Sequence, residues 1–216
     1  MSDPVVRDVA TPTGPARVHL HAATGVDARG VLVLGHGAGG GIGAPDLAAL
    51  ATELPALAWA VALVEMPWRV AGQRMAPRPP RLDEGWVPLV AALRADGSVP
   101  GRLVVGGRSA GARVACRTAT EVGADAVLAL SFPLVPPGKG PDRSRAPELL
   151  TPLRAALPVL VVQGEGDPYG TPEDVRRAAP GVEVAGVPGA HSFRRRPDGL
   201  VAAVRGWLAS GPTRAA

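Results

Sequence analysis

The 216-residue chain lacks several things at once. It has a single cysteine, Cys116, so no internal disulfide can form, and a reducing, cytoplasmic setting is expected. It has no apolar run long enough to span a membrane, since the longest are strand-sized and broken by Gly, Pro or charge. The opening residues, MSDPVVRDVATPTGPARV, carry acids and prolines where a secretory leader needs an apolar stretch. No membrane partner is expected. Aromatic residues make up only 3%, too few for a platform on which nucleic-acid bases stack. Lysine is nearly absent too: Lys139 is the only one among 23 basic residues. The formal net charge of +4 therefore rests on arginines scattered through an Ala-, Gly- and Pro-rich chain, the pattern of GC-rich coding, and Arg194 to Arg196 is the densest run. No nucleic-acid partner is expected from that distribution.

What is present is a core. At 46% apolar residues, one globular domain over residues 1–216 is expected, with 1–14 and 210–216 as flexible tails. Short apolar runs alternate with helical patterns. Strands are predicted over 31–35 (VLVLG), 61–66, 102–107, 126–132, 158–164 and 182–187. Helices are predicted over 45–60, 82–96, 109–123, near 171–179 and over 197–209, although Gly85 and Pro88 interrupt the second pattern. Strands that are apolar on both faces and separated by helices mean an α/β fold, a mostly parallel sheet with helices on both sides. Ligand sites in such sheets lie beyond the carboxyl ends of the strands, so the loops there carry the functional information.

Gly107-Arg108-Ser109-Ala110-Gly111 is G-x-S-x-G at a predicted strand-to-helix junction. A serine on so sharp a turn is lifted above the sheet, and glycines on either side let strand and helix close in without a Cβ clash. The N–H of the next residue, Ala110, then points at a developing oxyanion. Such a nucleophile needs a base, and the base needs an orienting acid, in the chain order Ser, acid, His. Only His191 follows Ser109. His19 and His21 precede it and read as ordinary strand or surface residues. For the acid, Asp167 follows the strand before the histidine's own, and Pro168 stiffens the turn behind it. Glu165 is the nearby rival, while Asp142, Glu173 and Asp174 are less well placed.

LGHGAGGG, EMPWRVAG, GGRSAGARVA, QGEGDPYG and GAHSF together resemble the α/β-hydrolase superfamily, from about Val31 to Leu208. More narrowly, they resemble the small hydrolase-like family of testis-expressed protein 30 and NSL complex subunit 3, as its bacterial members appear, with dienelactone hydrolases as more distant relatives in shape. The resemblance implies a serine hydrolase fold with a minimal lid or none. It implies Ser109 as nucleophile, Asp167 as acid and His191 as base. It gives the HGAGG loop as source of a second oxyanion donor, Ala38 N–H or alternatively Gly37 N–H. Relatives often carry an acid just before the histidine, where this chain has Ala190.

The expected chemistry is acyl transfer from a small ester or thioester to water, with no metal and no cofactor. His and Asp at these spacings make no zinc pattern. Two other readings are a non-catalytic binding or scaffold module on the same fold, and a nucleotide-binding protein using the Gly-rich loop. The loop lacks the lysine of a phosphate-binding G-x-x-x-x-G-K-[ST], which weighs against the second. Arg69 and Arg108 either bind an anionic part of the substrate or are tied up by Glu65, the preferred alternative. Trp68 and Phe193 are expected to contact substrate, and Cys116 to be a small buried residue. The Pro-rich stretch 132–150 is expected to be a loop shaping the pocket entrance, with a short helix after Ala146.

Overall fold

The computed structural model describes residues 3–25, 27–193 and 197–211. Their strands form one eight-stranded sheet: β1 (Val5–Val9), β2 (Ala16–His21), β3 (Gly30–Gly35), β4 (Trp59–Glu65), β5 (Arg102–Arg108), β6 (Ala126–Leu130), β7 (Val159–Gly164) and β8 (Glu183–Val187). The order across the sheet is β1-β2-β4-β3-β5-β6-β7-β8. β1 and β2 run antiparallel, and all pairings from β4 to β8 are parallel.

The helices are α1 (Pro45–Glu53), α2 (Pro67–Val70), α3 (Pro79–Ala95), α4 (Ala110–Thr118), α5 (Ala146–Arg154), α6 (Pro172–Ala178) and α7 (Asp198–Ala209). They cover both faces, which is why the central strands are apolar throughout. Successive side chains on a strand point to opposite faces. Val31, Val33, Val105 and Val127 pack with Leu82, Trp86 and Leu89 of α3, Ala112 and Ala115 of α4 and Leu149 of α5. The alternate residues Leu32, Leu34, Val104 and Leu128 pack with Leu47 and Leu50 of α1 and Leu200, Val204 and Trp207 of α7. No helix among the described residues is long and apolar enough to cross a membrane.

Three expectations are corrected. The anticipated N-terminal tail contains β1, which pairs with β2 from Val5↔Leu20 to Val9↔Ala16. The helix predicted over 45–60 stops at Glu53, and a single 3₁₀ turn, Leu54–Leu57, follows. Pro55 has no N–H to continue an α-helix, and Ala58 at φ 61° swings the chain into β4, which begins at Trp59. α4 ends at Thr118 rather than near Gly123. In α3, Gly85 is required where it stands, because a Cβ there would lie 2.6 Å from Thr13 Oγ1. Between β6 and α5 the chain forms a loop with one 3₁₀ turn, Pro141–Arg143, and no helical cap, as expected. Arg194 to Arg196, and residues 212–216 of the expected C-terminal tail, lie outside the described residues.

Candidate active site

β5 ends at Arg108 and α4 starts at Ala110, leaving one residue to reverse the chain. That residue, Ser109, sits at φ 53° and ψ −105°, a conformation that costs a non-glycine residue strain. The glycines make it feasible. A Cβ on Gly107 or on Gly111 would collide with the carbonyl oxygen of Gly35 on β3. Ser109 N–H is tied to β6 by a 2.9 Å hydrogen bond to Leu130 O.

The loops after β7 and β8 are laced together beside this turn. Glu165 N–H donates to Val187 O at 2.9 Å and Gly166 N–H to Gly189 O at 2.8 Å. This brings His191 between Ser109 and Asp167. His191 Nε2 lies 3.0 Å from Ser109 Oγ, and Nδ1 lies 2.9 Å and 3.1 Å from the two Asp167 oxygens. Asp167 is 3% exposed and its carboxylate accepts two more hydrogen bonds. Tyr169 N–H donates to Oδ1 at 2.9 Å, and the Gln163 amide donates to Oδ2 at 3.0 Å. An acceptor-only carboxylate on Nδ1 puts the proton there, leaving the Nε2 lone pair toward the serine hydroxyl. The Tyr169 ring lies 4.3 Å from the imidazole, centroid to centroid, and limits its rotation.

The Gly-rich loop lies against the serine. A Cβ on Gly37 would be 3.6 Å from Ser109 Cβ and 3.3 Å from the Arg108 guanidinium, so the loop runs in van der Waals reach of the nucleophile turn. Ala110 N–H is the first of α4 and has no intrahelical acceptor. Among the described residues, Ala38 N–H donates to no protein acceptor either. His36 fixes the loop. It is fully buried, its Nδ1–H donates to Gly37 O at 2.9 Å, and its Nε2 accepts from Met66 N–H at 3.2 Å. Accepting at Nε2 requires the neutral ring, and burial accordingly pushes its pKa below the ordinary value.

A family model described as "Alpha/beta hydrolase domain" matches residues 28–200. The chain belongs to the alpha/beta hydrolase domain family. Solved structures repeat the fold across nearly the whole chain. An alpha-beta serine hydrolase homologue from Coxiella burnetii superposes with TM-score 0.78 at 18% identity, covering 95% of this chain and 98% of that one. A serine hydrolase without lid from Xanthomonas campestris gives 0.75 at 17%, covering 98% and 96%. A dienelactone hydrolase from Anabaena variabilis gives 0.67 at 20%, covering 97% and 96%. At these identities the likeness is one of fold, an alpha/beta-hydrolase sheet with no lid domain. No curated protein matches the sequence.

Of the residues expected to line the substrate pocket of this alpha/beta hydrolase, Arg108, Trp68 and Phe193 are engaged elsewhere in the fold, while Arg69 stays at the Gly-rich loop. Arg108 pairs with Asp46, Nε to Oδ2 at 3.0 Å, and donates to His191 O at 2.6 Å. It ties α1 to the histidine loop and is not free for a ligand. Asp46 is 1% exposed; burial pushes its carboxyl pKa up and Arg108 pulls it back. Glu65, the anticipated partner of Arg69 or Arg108, instead lies 3.7 Å from His19 Nε2. Arg69 is exposed, forms no ion pair among the described residues, and lies along the Gly-rich loop near Gly41. Trp68 is buried against His36, ring centroids 5.0 Å apart, so it braces the loop from behind. Phe193 is buried in the core that Leu200 and Val204 share, under Gly189. Of the rival acids, Glu165 is exposed and Asp174 closes a capping box with Thr171 at the start of α6.

Sequence reasoning missed His36, Asp46, Gln163 and Tyr169. Gln163 left a signal: it is the one polar residue in the apolar run PVLVVQG, and a buried amide needs partners. It finds Phe132 N–H at 2.9 Å, Gly170 O at 2.8 Å and Asp167.

Proposed function

We propose that the protein is a serine hydrolase that cleaves a small ester or thioester through an acyl-enzyme. The observation that carries this reading is the unbroken hydrogen-bond relay from Ser109 Oγ through His191 to Asp167. His191 Nε2 takes the hydroxyl proton as Oγ attacks the substrate carbonyl carbon. The carbonyl oxygen becomes an oxyanion, received by Ala110 N–H and by Ala38 N–H, with Gly37 N–H as the alternative donor. Asp167 holds the imidazole in register and stabilises its cationic form. Collapse of the intermediate expels the alcohol or thiol, which takes the proton from His191. Water, deprotonated by His191, then attacks the acyl-enzyme, releasing the acid and restoring Ser109. No group beyond these side chains and backbone amides is called on.

Within the family, we place the chain near the small hydrolases related to testis-expressed protein 30 and NSL complex subunit 3, on its loop motifs. We assign it to a reducing, cytoplasmic compartment, in keeping with its lone, buried Cys116. The test is labelling with a fluorophosphonate probe, followed by a screen of acyl esters and thioesters. Wild type labels at Ser109 and turns over substrate, and Ser109→Ala does neither. A folded wild type that neither labels nor turns over substrate defeats the reading and favours the scaffold module, and an alanine variant with full turnover defeats the Ser109 mechanism.

A further inference from the structure

One guanidinium touches three parts of the candidate site. Arg108 ends β5 and immediately precedes Ser109. Its three nitrogens face three different segments. Nε stands 3.0 Å from Asp46 Oδ2 on α1, the helix that follows the Gly-rich loop. Nη2–H donates to His191 O at 2.6 Å. Nη1 lies against the Gly-rich loop, 3.3 Å from where a Cβ on Gly37 would stand. The nucleophile turn, the loop of the base and the loop of the expected oxyanion donors therefore meet at one side chain.

Stability alone does not account for this arrangement. The Asp46 side chain is 1% exposed and that of Arg108 14%, so both charges have lost most of their water. Such a pair recovers its desolvation cost only with close alignment and further hydrogen bonds. Asp46 Oδ1 accepts Leu47 N–H at 3.0 Å, but Oδ2 has no aligned hydrogen-bond donor. Apolar side chains of similar size would hold α1 against β5 about as well. They could not hold the carbonyl of His191. Upstream, the histidine loop is anchored by Gly166 N–H on Gly189 O at 2.8 Å, and at His191 itself the anchor is Arg108. The His191 ring bridges Ser109 Oγ and Asp167, so a shift of its backbone moves Nε2 off the hydroxyl.

We propose that Arg108 is a positioning residue for the base. Oriented by Asp46, it fixes the main chain of His191, and through it the distance from the imidazole to Ser109. Lysine is a poor substitute, because one ammonium lacks the planar fork that serves Asp46 and His191 O together. The inference rests on the hydrolase reading above.

The experiment measures 4-nitrophenyl butyrate hydrolysis and the rate of fluorophosphonate labelling at Ser109, at a temperature where every variant is folded. Arg108→Gln should lose about tenfold to a hundredfold in kcat with KM within about twofold, as a displaced catalytic group does, and labelling should slow in parallel. Arg108→Lys should recover part of the loss, and Asp46→Asn, which leaves Arg108 in place but unheld, should lose less. Arg108→Gln also leaves Asp46 as an unpaired buried charge and so lowers the melting temperature. The double variant Asp46→Leu/Arg108→Met removes both charges. It should melt higher than Arg108→Gln yet show the same loss of kcat. Arg117→Gln, which weakens the pair with Asp83 on the outer face of α4, is the control: it should melt lower and keep its kcat. Wild-type kcat in the double variant, or a matching loss of kcat in Arg117→Gln, overturns the assignment. Should wild type neither label nor turn over ester, the hydrolase reading fails, and the His191 backbone amide decides the inference. Its NMR order parameter should be about 0.85 in wild type and fall toward about 0.6 in the double variant. An unchanged order parameter rejects the positioning role.

Discussion

At the scale of single residues, the site depends on polar side chains that meet no substrate. Gln163 is the clearest. Its amide engages Asp167, Gly170 O and both backbone groups of Phe132, so it joins the acid to the loop after β6. Gln163→Leu leaves Asp167 with one lateral donor and Phe132 N–H with none. Stability should fall by about 1–3 kcal/mol, the cost of buried polar groups left unpaired. Turnover should fall further than that loss explains, by about tenfold to a hundredfold in kcat with KM little changed, because the imidazole loses its register. Thermal melts and steady-state kinetics measure the two effects separately. Unchanged kcat would mean that Tyr169 N–H alone orients Asp167. His36 makes a different prediction. Its native pKa lies below the ordinary 6.5 because burial penalises the cation. As pH falls below about 6.5 the unfolded chain takes up the proton and the native state resists it, so stability declines until the native pKa is passed. His21, also lowered by burial, adds to the same slope. Urea midpoints between pH 7.5 and 5 should therefore drop in wild type and drop less in His36→Asn, whose amide still reaches toward Gly37 O. Parallel curves for the two proteins would remove His36 as the cause.

At the scale of elements, the helix that carries the nucleophile is held from its sides. α4 has nine residues and buries a small-residue face, so packing alone gives it few large contacts. Two arginines on its outer face compensate. Arg117 forks onto Asp83 of α3 at 2.6 Å and 2.9 Å, and Arg113 forks onto Glu148 of α5. Glu148 also meets Arg117 at 3.2 Å, so one carboxylate joins both arginines and links α3, α4 and α5. These side chains are 17–27% exposed, between a solvated surface pair and a fully buried one. Glu148→Gln keeps the size and removes the charge. It should cost about 2 kcal/mol, below the 3–5 typical of a fully buried pair broken on one side. Thermal melts measure the loss, and a melting temperature equal to that of wild type would show that the three-helix network contributes nothing to stability.

At the scale of the whole molecule, what was legible followed from how much of a residue's role is local. The six parallel strands and the three loops bearing Ser109, Asp167 and His191 were readable because apolar runs and glycine turns are written in consecutive residues. The start of β4 was misread because alanine-rich residues 56–60 fit a helix until Pro55 and Ala58 are weighed together. Arg108 was misassigned because its partner Asp46 stands 62 positions away in the chain, and nothing local links them. β1 was taken for a tail for a further reason: it is an edge strand, with Val5 62% and Val6 50% exposed, so it lacks the pattern of a buried strand. That edge position makes a test of how the sheet divides its work. β2, β4 and β3 separate β1 from β5, and the candidate triad lies on loops of β5, β7 and β8. A chain beginning at Ala10 loses the burial of Val9 and the 2.6 Å pair of Arg7 with Asp96. Together these are worth about 2–3 kcal/mol. For a chain of this size that is a drop of about 4–12 °C in melting temperature. The newly exposed β2 edge should also make the truncated protein more prone to associate. The fluorophosphonate labelling rate at Ser109 should nonetheless match the full chain well below the transition. A truncated protein that keeps its far-ultraviolet dichroism but fails to label would mean that the edge strand reaches the site through the sheet, contrary to the division argued from its topology.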